Sequence, residues 1–169
     1  MRRVILVALL ALGGFNAVPT QAHAADDGGA LVAIEVISTR PVMQATTATG
    51  TPCWVWTQRV KGRALLGTMW SHSVTMHWCT GSRVYHQSTS ERPDVTAIGA
   101  ALGWTFDGRH QPTVRGYYHW QRPYGGYRYL AYGIFGRCLA RIGCTQQVFT
   151  KVGMAVHFDN TQVGAHDAW

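Results

Sequence analysis

Between residues 70 and 79 the chain reads "WSHSVTMHWC", with bulky side chains at every second position. Trp70, His72, Val74, Met76 and Trp78 share one parity, while Ser71, Ser73, Thr75, His77 and Cys79 share the other. A helix does not segregate such a pattern, because it returns a side chain to the same face every 3.6 residues; a strand does so every second residue. The alternation therefore predicts a strand with the first set in a core and the second mostly toward solvent. "CTGSR" reads as a turn and "VYHQST" as a return strand, so residues 71–90 form a β-hairpin in this reading. His72 and His77 then point to opposite faces and cannot ligate one metal without a bulge between them.

The same period recurs along the chain. In "LVAIEVI", residues 31–37, Val32, Ile34 and Val36 fall on one face. "CWVWTQRV" is a further strand, ended by "KGRALLG", and "QQVFTKVGMAVHFDN" aligns Val148, Val152, Met154, Val156 and Phe158. Asp107-Gly108 signals a turn between strand-like segments. Helical spacing is confined to one short turn at "TAIGAAL", residues 96–102. Several short strands separated by glycine turns argue for an all-β fold, an antiparallel β-sandwich or barrel. No internal repeat is evident in the residues.

The first 24 residues carry Arg2 and Arg3, an apolar run from Val4 to Leu12 and the closing Ala22-His23-Ala24. These are the three regions of a secretory signal, cleaved after Ala24, and the run is well short of the roughly 20 residues that a membrane span needs. The expected product is secreted, with no membrane span. Residues 25–52 would be an N-terminal strand or arm plus a Thr/Ala linker, and residues 53–169 a disulfide-stapled β domain. Lysine is confined to Lys61 and Lys151 while arginine and alanine abound, a bias common in bacteria with GC-rich genomes. All four cysteines, Cys53, Cys79, Cys138 and Cys144, follow the signal. In an oxidising compartment an even count reads as disulfides, and four cysteines allow three pairings. The favoured pairing joins Cys53 to Cys79, from the start of one strand to the end of another, and Cys138 to Cys144 across "LARIG". The spacings that mark structural zinc are absent, so no metal or cofactor is expected.

The "CWVWT" run, the alternating strand ending in "MHWCTGSRV" and the C-terminal "HFDNTQVG" together resemble small secreted, disulfide-stapled β-proteins of actinomycetes, over roughly residues 53–163. That largely uncharacterised group implies export and an all-β fold and transfers no catalytic residue. Residues 25–52 lie outside the likeness.

The nucleophile elbow, the phosphate loop and the His-Glu-x-x-His motif are absent. Carboxylates are few, which disfavours a glycosidase with its facing pair. A histidine-based hydrolase or toxin needs an activated hydroxyl and an orienting carboxylate, and the spacing selects none. Signal removal lowers the formal charge from +7 to +5 by loss of Arg2 and Arg3. The remaining arginines are scattered from Arg40 to Arg141, which argues against nucleic acid. The aromatic surplus is the stronger clue: Trp54, Trp56, Trp70, Trp78, Trp104 and Trp120 exceed the needs of a core of this size. Of these, Trp70 and Trp78 read as core, together with Phe135 and Phe158. Tyr124 and Tyr127, flanking Gly125-Gly126, are the candidates for an exposed binding patch. Val32, Ile34 and Val36 are a second candidate, either as the first sandwich strand or as an arm that adds to a partner's sheet. Arg141 in the Cys138–Cys144 loop is a third, as the basic residue of a protease-inhibitor loop. The expectation is a secreted, non-enzymatic protein that binds an extracellular protein partner or an envelope glycan, as a subunit of an exported complex or alone. A histidine-based hydrolase or toxin and a protease inhibitor are the alternatives.

Overall fold

Alternating side chains place the core on one face of each strand, and two such faces close on each other. The structure, a computed structural model, describes residues 28–119, 125–157 and 162–168; the expected signal, Trp120, Tyr124 and Phe158 lie outside the described residues. The elements in order are β1 (Ala33–Ser38), β2 (Val42–Thr46), β3 (Pro52–Ala64), β4 (Gly67–Thr80), β5 (Val84–Val95), α1 (Ala97–Ala101), β6 (Trp104–Gly108), β7 (Val114–His119), β8 (Gly125–Leu139), β9 (Gly143–His157) and β10 (Gln162–Ala168). One antiparallel sheet runs β1-β3-β4-β5, with β2 also on β3; the other runs β10-β9-β8-β6, with β7 also on β8. The two pack as a sandwich and do not close into a barrel.

The sheets repeat one plan. β1 and β2 pair with the C-terminal and N-terminal halves of β3, and β6 and β7 pair with the corresponding halves of β8. Two meander strands then complete each sheet. The repeat lies in strand pairing alone, which is why the residues do not display it. Residues 33–38 and 42–46 are strands of the first sheet, so β1 is an edge strand and not a detached arm, and β2 takes up the start of the expected linker.

Trp70, His72, Val74, Met76 and Trp78 are all fully buried, as their parity requires. They meet Phe135, Val148, Val152, Met154 and Val156 of the opposite sheet, and Trp70 stacks on Phe135 with ring centroids 4.4 Å apart. Most of the tryptophan surplus is core: Trp56 and Trp104 are also buried and Trp54 packs against the cluster. Trp104 can be buried because its indole N–H donates to the Gly29 carbonyl at 2.9 Å.

Two turn expectations shift. Lys61-Gly62-Arg63 continues β3, because Trp70 lies over Gly62 where a Cβ would come within 2.3 Å of the indole; the turn is Leu65-Leu66. Asp107-Gly108 is a bulge on β6 and not a hairpin turn, since β6 and β7 both pair with β8. The helical turn is present, with Thr96 accepting from the Gly99 amide as its N-cap.

Cys53 faces Cys79 across β3–β4, Cys138 faces Cys144 across β8–β9, and both pairs are bonded. The bridges close segments with sequence separations of 26 and 6. Loop-closure entropy makes them worth about 3.5 and about 2 kcal/mol respectively. Replacing Cys53 and Cys79 by serine should lower the denaturation free energy more than the same change at Cys138 and Cys144, as read in urea titrations of the two double variants.

Candidate functional site

His72 occupies a core position by parity, and a buried imidazole needs partners. Its Nδ1 lies 2.8 Å from Thr150 Oγ1 on β9, and its Nε2 lies 3.2 Å from Glu91 Oε1 on β5. A carboxylate only accepts, so Nε2 carries a proton and donates to Glu91. Tyr129 of β8 donates to Glu91 Oε2 at 3.2 Å, and Arg109 completes the cage with Nε at 3.3 Å and Nη2 at 2.9 Å. Hydroxyl, imidazole and carboxylate are thus joined in the order that nucleophilic hydrolases use.

What separates this group from an active site is access. His72 and Thr150 are both 0% exposed, so no substrate carbonyl reaches the hydroxyl. Thr150 also lies within 3.3 Å of the Gly133 carbonyl, a backbone acceptor that further occupies it. The arrangement fastens β4 and β5 to β8 and β9 through the middle of the sandwich.

Burial alone would raise the Glu91 carboxyl, but hydrogen bonds from His72 and Arg109, with their charges, outweigh it and hold the group down at about 2. Arg109 is raised in turn, by its hydrogen bonds to and attraction for Glu91. Burial raises the Tyr129 phenol, and the neighbouring carboxylate adds to the effect.

The signal for this network was present in the residues. Thr150 sits between Val148 and Val152 on the core parity of β9. Glu91 is less legible, because a bulge that opposes Ser88 to His77 and His86 to Trp78 switches the parity of β5 just before it. Arg109 and Tyr129 carry no sequence signal that selects them.

The remaining candidates disperse. Val32, Ile34 and Val36 lie on one face of β1 and are 60%, 41% and 42% exposed. Ile34 and Val36 pair with Gly62 and Val60, and Val32 just before the strand bonds to Arg63, so the three share the core face of their sheet and stay exposed at its edge. Tyr127 is buried and not the exposed ring its glycine neighbours led one to expect. It stacks on His86 at 4.0 Å and meets Tyr117 edge-on, and burial raises its phenol while burial lowers His86. Tyr124 lies outside the described residues. Arg141 is exposed, in the left-handed region at φ 72°, within a turn closed by the Ile142 amide on the Leu139 carbonyl at 3.2 Å. An inhibitor loop has to lie extended in a protease cleft; this one is curled.

An open cleft of about 350 Å³ lies over the Cys53–Cys79 bridge, between β2, His77 and Ser88. Among the described residues His77 is the one ionisable side chain lining it. All four cysteines are oxidised, and among the described residues no three His, Cys, Asp or Glu side chains converge on a metal position. Among the same residues no helix is long and apolar enough to cross a membrane. No family model matches the chain, and no curated protein and no solved structure is similar to it.

Because Glu91 is held below its ordinary 4.5, its contribution to stability is complete above that value and disappears as the pH falls toward 2. The difference corresponds to about 3 kcal/mol at neutral pH. Glu91→Gln should therefore destabilise the protein by about 2–3 kcal/mol at pH 7 and by almost nothing at pH 2, measured by denaturant titration across that range.

Proposed function

We propose that this protein works outside the cytoplasm as a non-enzymatic binding protein, and that its partner is another protein docked along the β1 edge. The observation that carries the reading is the row of Val32, Ile34 and Val36, each at least 41% exposed, on a strand that ends its sheet. An edge strand offers unpaired backbone donors and acceptors, and an apolar row beside them is a hazard that proteins ordinarily cover. A partner strand laid against β1 would take up the backbone groups, with the apolar side chains giving selectivity. Met43 of β2, 57% exposed and paired with Trp54, lies on the same face of the sheet and extends the row.

Export is favoured by the two disulfides, by the N-terminal signal pattern and by the likeness to exported β-proteins of actinomycetes. A glycan partner has less support. With Trp56, Trp70, Trp78, Trp104 and Tyr127 in the core, the large exposed aromatics among the described residues are Tyr85 and Tyr117. A hydrolase or toxin built on His72 has its imidazole sealed between the sheets, and the inhibitor reading has a curled loop where an extended one is needed.

The test is capture from the producer's culture fluid on immobilised protein, comparing the parent with Ile34→Lys/Val36→Lys and Tyr117→Ala. The edge variant should melt within a few degrees of the parent and lose about tenfold or more of the captured protein, the effect of disrupting a main recognition element, while Tyr117→Ala captures as the parent does. Loss in Tyr117→Ala with full capture by the edge variant would overturn the reading in favour of the aromatic end.

A further inference from the structure

Several elements bring aliphatic side chains to one end of the sandwich and leave them in water. The β3–β4 hairpin closes through Leu65 and Leu66, 69% and 57% exposed; the disulfide-closed β8–β9 turn carries Ile142, 66% exposed; and α1 carries Ile98, 48% exposed. Contacts tie these elements together. A Cβ on Gly28 would sit 3.1 Å from Leu66, and one on Gly29 would sit 2.8 Å from Arg137. The Arg137 guanidinium donates to the Leu102 carbonyl just past α1 at 3.1 Å, and the Cys138 amide donates to the Gly103 carbonyl at 2.9 Å.

The aliphatic tips themselves carry only basic charge: residues 63–67, 97–101 and 139–143 include Arg63 and Arg141 and no aspartate or glutamate. Further in, Lys61 and Arg137 are accompanied by Asp94 on the rung of Lys61 and by Asp107 beside Gly136 and Cys144. Arg137 is buried, and Glu35 on β1 lies 3.5 Å from Arg63 and offsets part of its charge. Arg141 is exposed next to Ile142.

Isolated aliphatic residues on a surface are ordinary, but four of them on neighbouring turns, with Arg63 near Leu65 and Leu66 and Arg141 beside Ile142, are not. A protein partner would require a continuous groove or face, whereas protruding turns suit the boundary between lipid headgroups and acyl chains. There the aliphatic tips leave water while guanidinium groups remain at the phosphates. We propose that this end docks on the surface of an anionic bilayer, with Leu65, Leu66 and Ile142 entering the headgroup region and Arg63 and Arg141 meeting lipid phosphates. This surface adjoins the β1 row at Val32, whose amide donates to the Arg63 carbonyl at 2.8 Å, but the proposal does not depend on that row.

The test uses the protein as recovered after export, floated with vesicles rich in phosphatidylglycerol and with vesicles of phosphatidylcholine alone. It should bind the first, bind the second weakly, and release from the first as salt is raised. Leu65→Asp/Ile142→Asp should lower the partition coefficient about tenfold or more with an unchanged melting curve; Val163→Asp, which removes an exposed apolar side chain on β10, should bind as the parent does. If the double variant does not fold, Arg141→Gln serves, with weaker binding and a shallower salt dependence expected. Absence of binding to the phosphatidylglycerol vesicles overturns the proposal, as does parental binding by the double variant or by Arg141→Gln. Lipid-free self-association that the double variant abolishes also overturns it, because the end is then covered by a second copy.

Discussion

A carboxylate taken out of water must be met by donors, and Glu91 is met from three directions. His72 reaches it from the adjacent strand of the same sheet, Tyr129 from the opposite sheet, and Arg109 from the connection after β6. His72 passes the constraint on to Thr150, also across the sandwich. Each of these bonds has a narrow geometry, so together they fix how one sheet lies on the other in a way that the apolar layers around them do not. The Trp70–Phe135 stack beside them supplies area, and Gly62 leaves the room in which Trp70 can lie flat. The polar group supplies register; the aromatic group supplies most of the burial.

That division has a consequence for function. His72, Thr150 and Glu91 are held between the sheets, and Trp56, Trp70, Trp78, Trp104 and Tyr127 are in the core. Among the described residues the surface keeps a backbone edge at β1, aliphatic side chains on that edge and on the turns at one end, Arg63 and Arg141 near them, and the rings of Tyr85 and Tyr117. The row on β1 runs along the side of the sandwich and meets the turn residues at its end through Val32 and Arg63.

Much of this was legible in the chain. The parity of residues 70–79 assigned the buried side chains of β4, the cysteine positions indicated which strands lie together, and Thr96 with the small residues after it marked the one helical turn. Three things resisted. Exposure of Tyr127 was inferred from neighbouring glycines, but glycine beside an aromatic ring can equally make the space in which the ring packs. Here the carbon positions flanking it are crowded by Tyr118 over Gly126. The bulge in β5 switched the side on which Glu91 falls, and a one-residue shift in a strand reverses every face assignment beyond it. The repeated plan of the two sheets was invisible because equal pairing was reached with unlike residues.

His72, bonded to Thr150 and Glu91, ties the two sheets together from a position sealed from solvent. The most direct measurement is acylation of histidines in the native protein by diethyl pyrocarbonate, with each site quantified by mass spectrometry. His166 and His77 should be modified readily, while His72 stays unmodified until the protein is unfolded. Modification of His72 in the folded protein at a rate close to that of His166 would show the imidazole open to small electrophiles and would contradict the account.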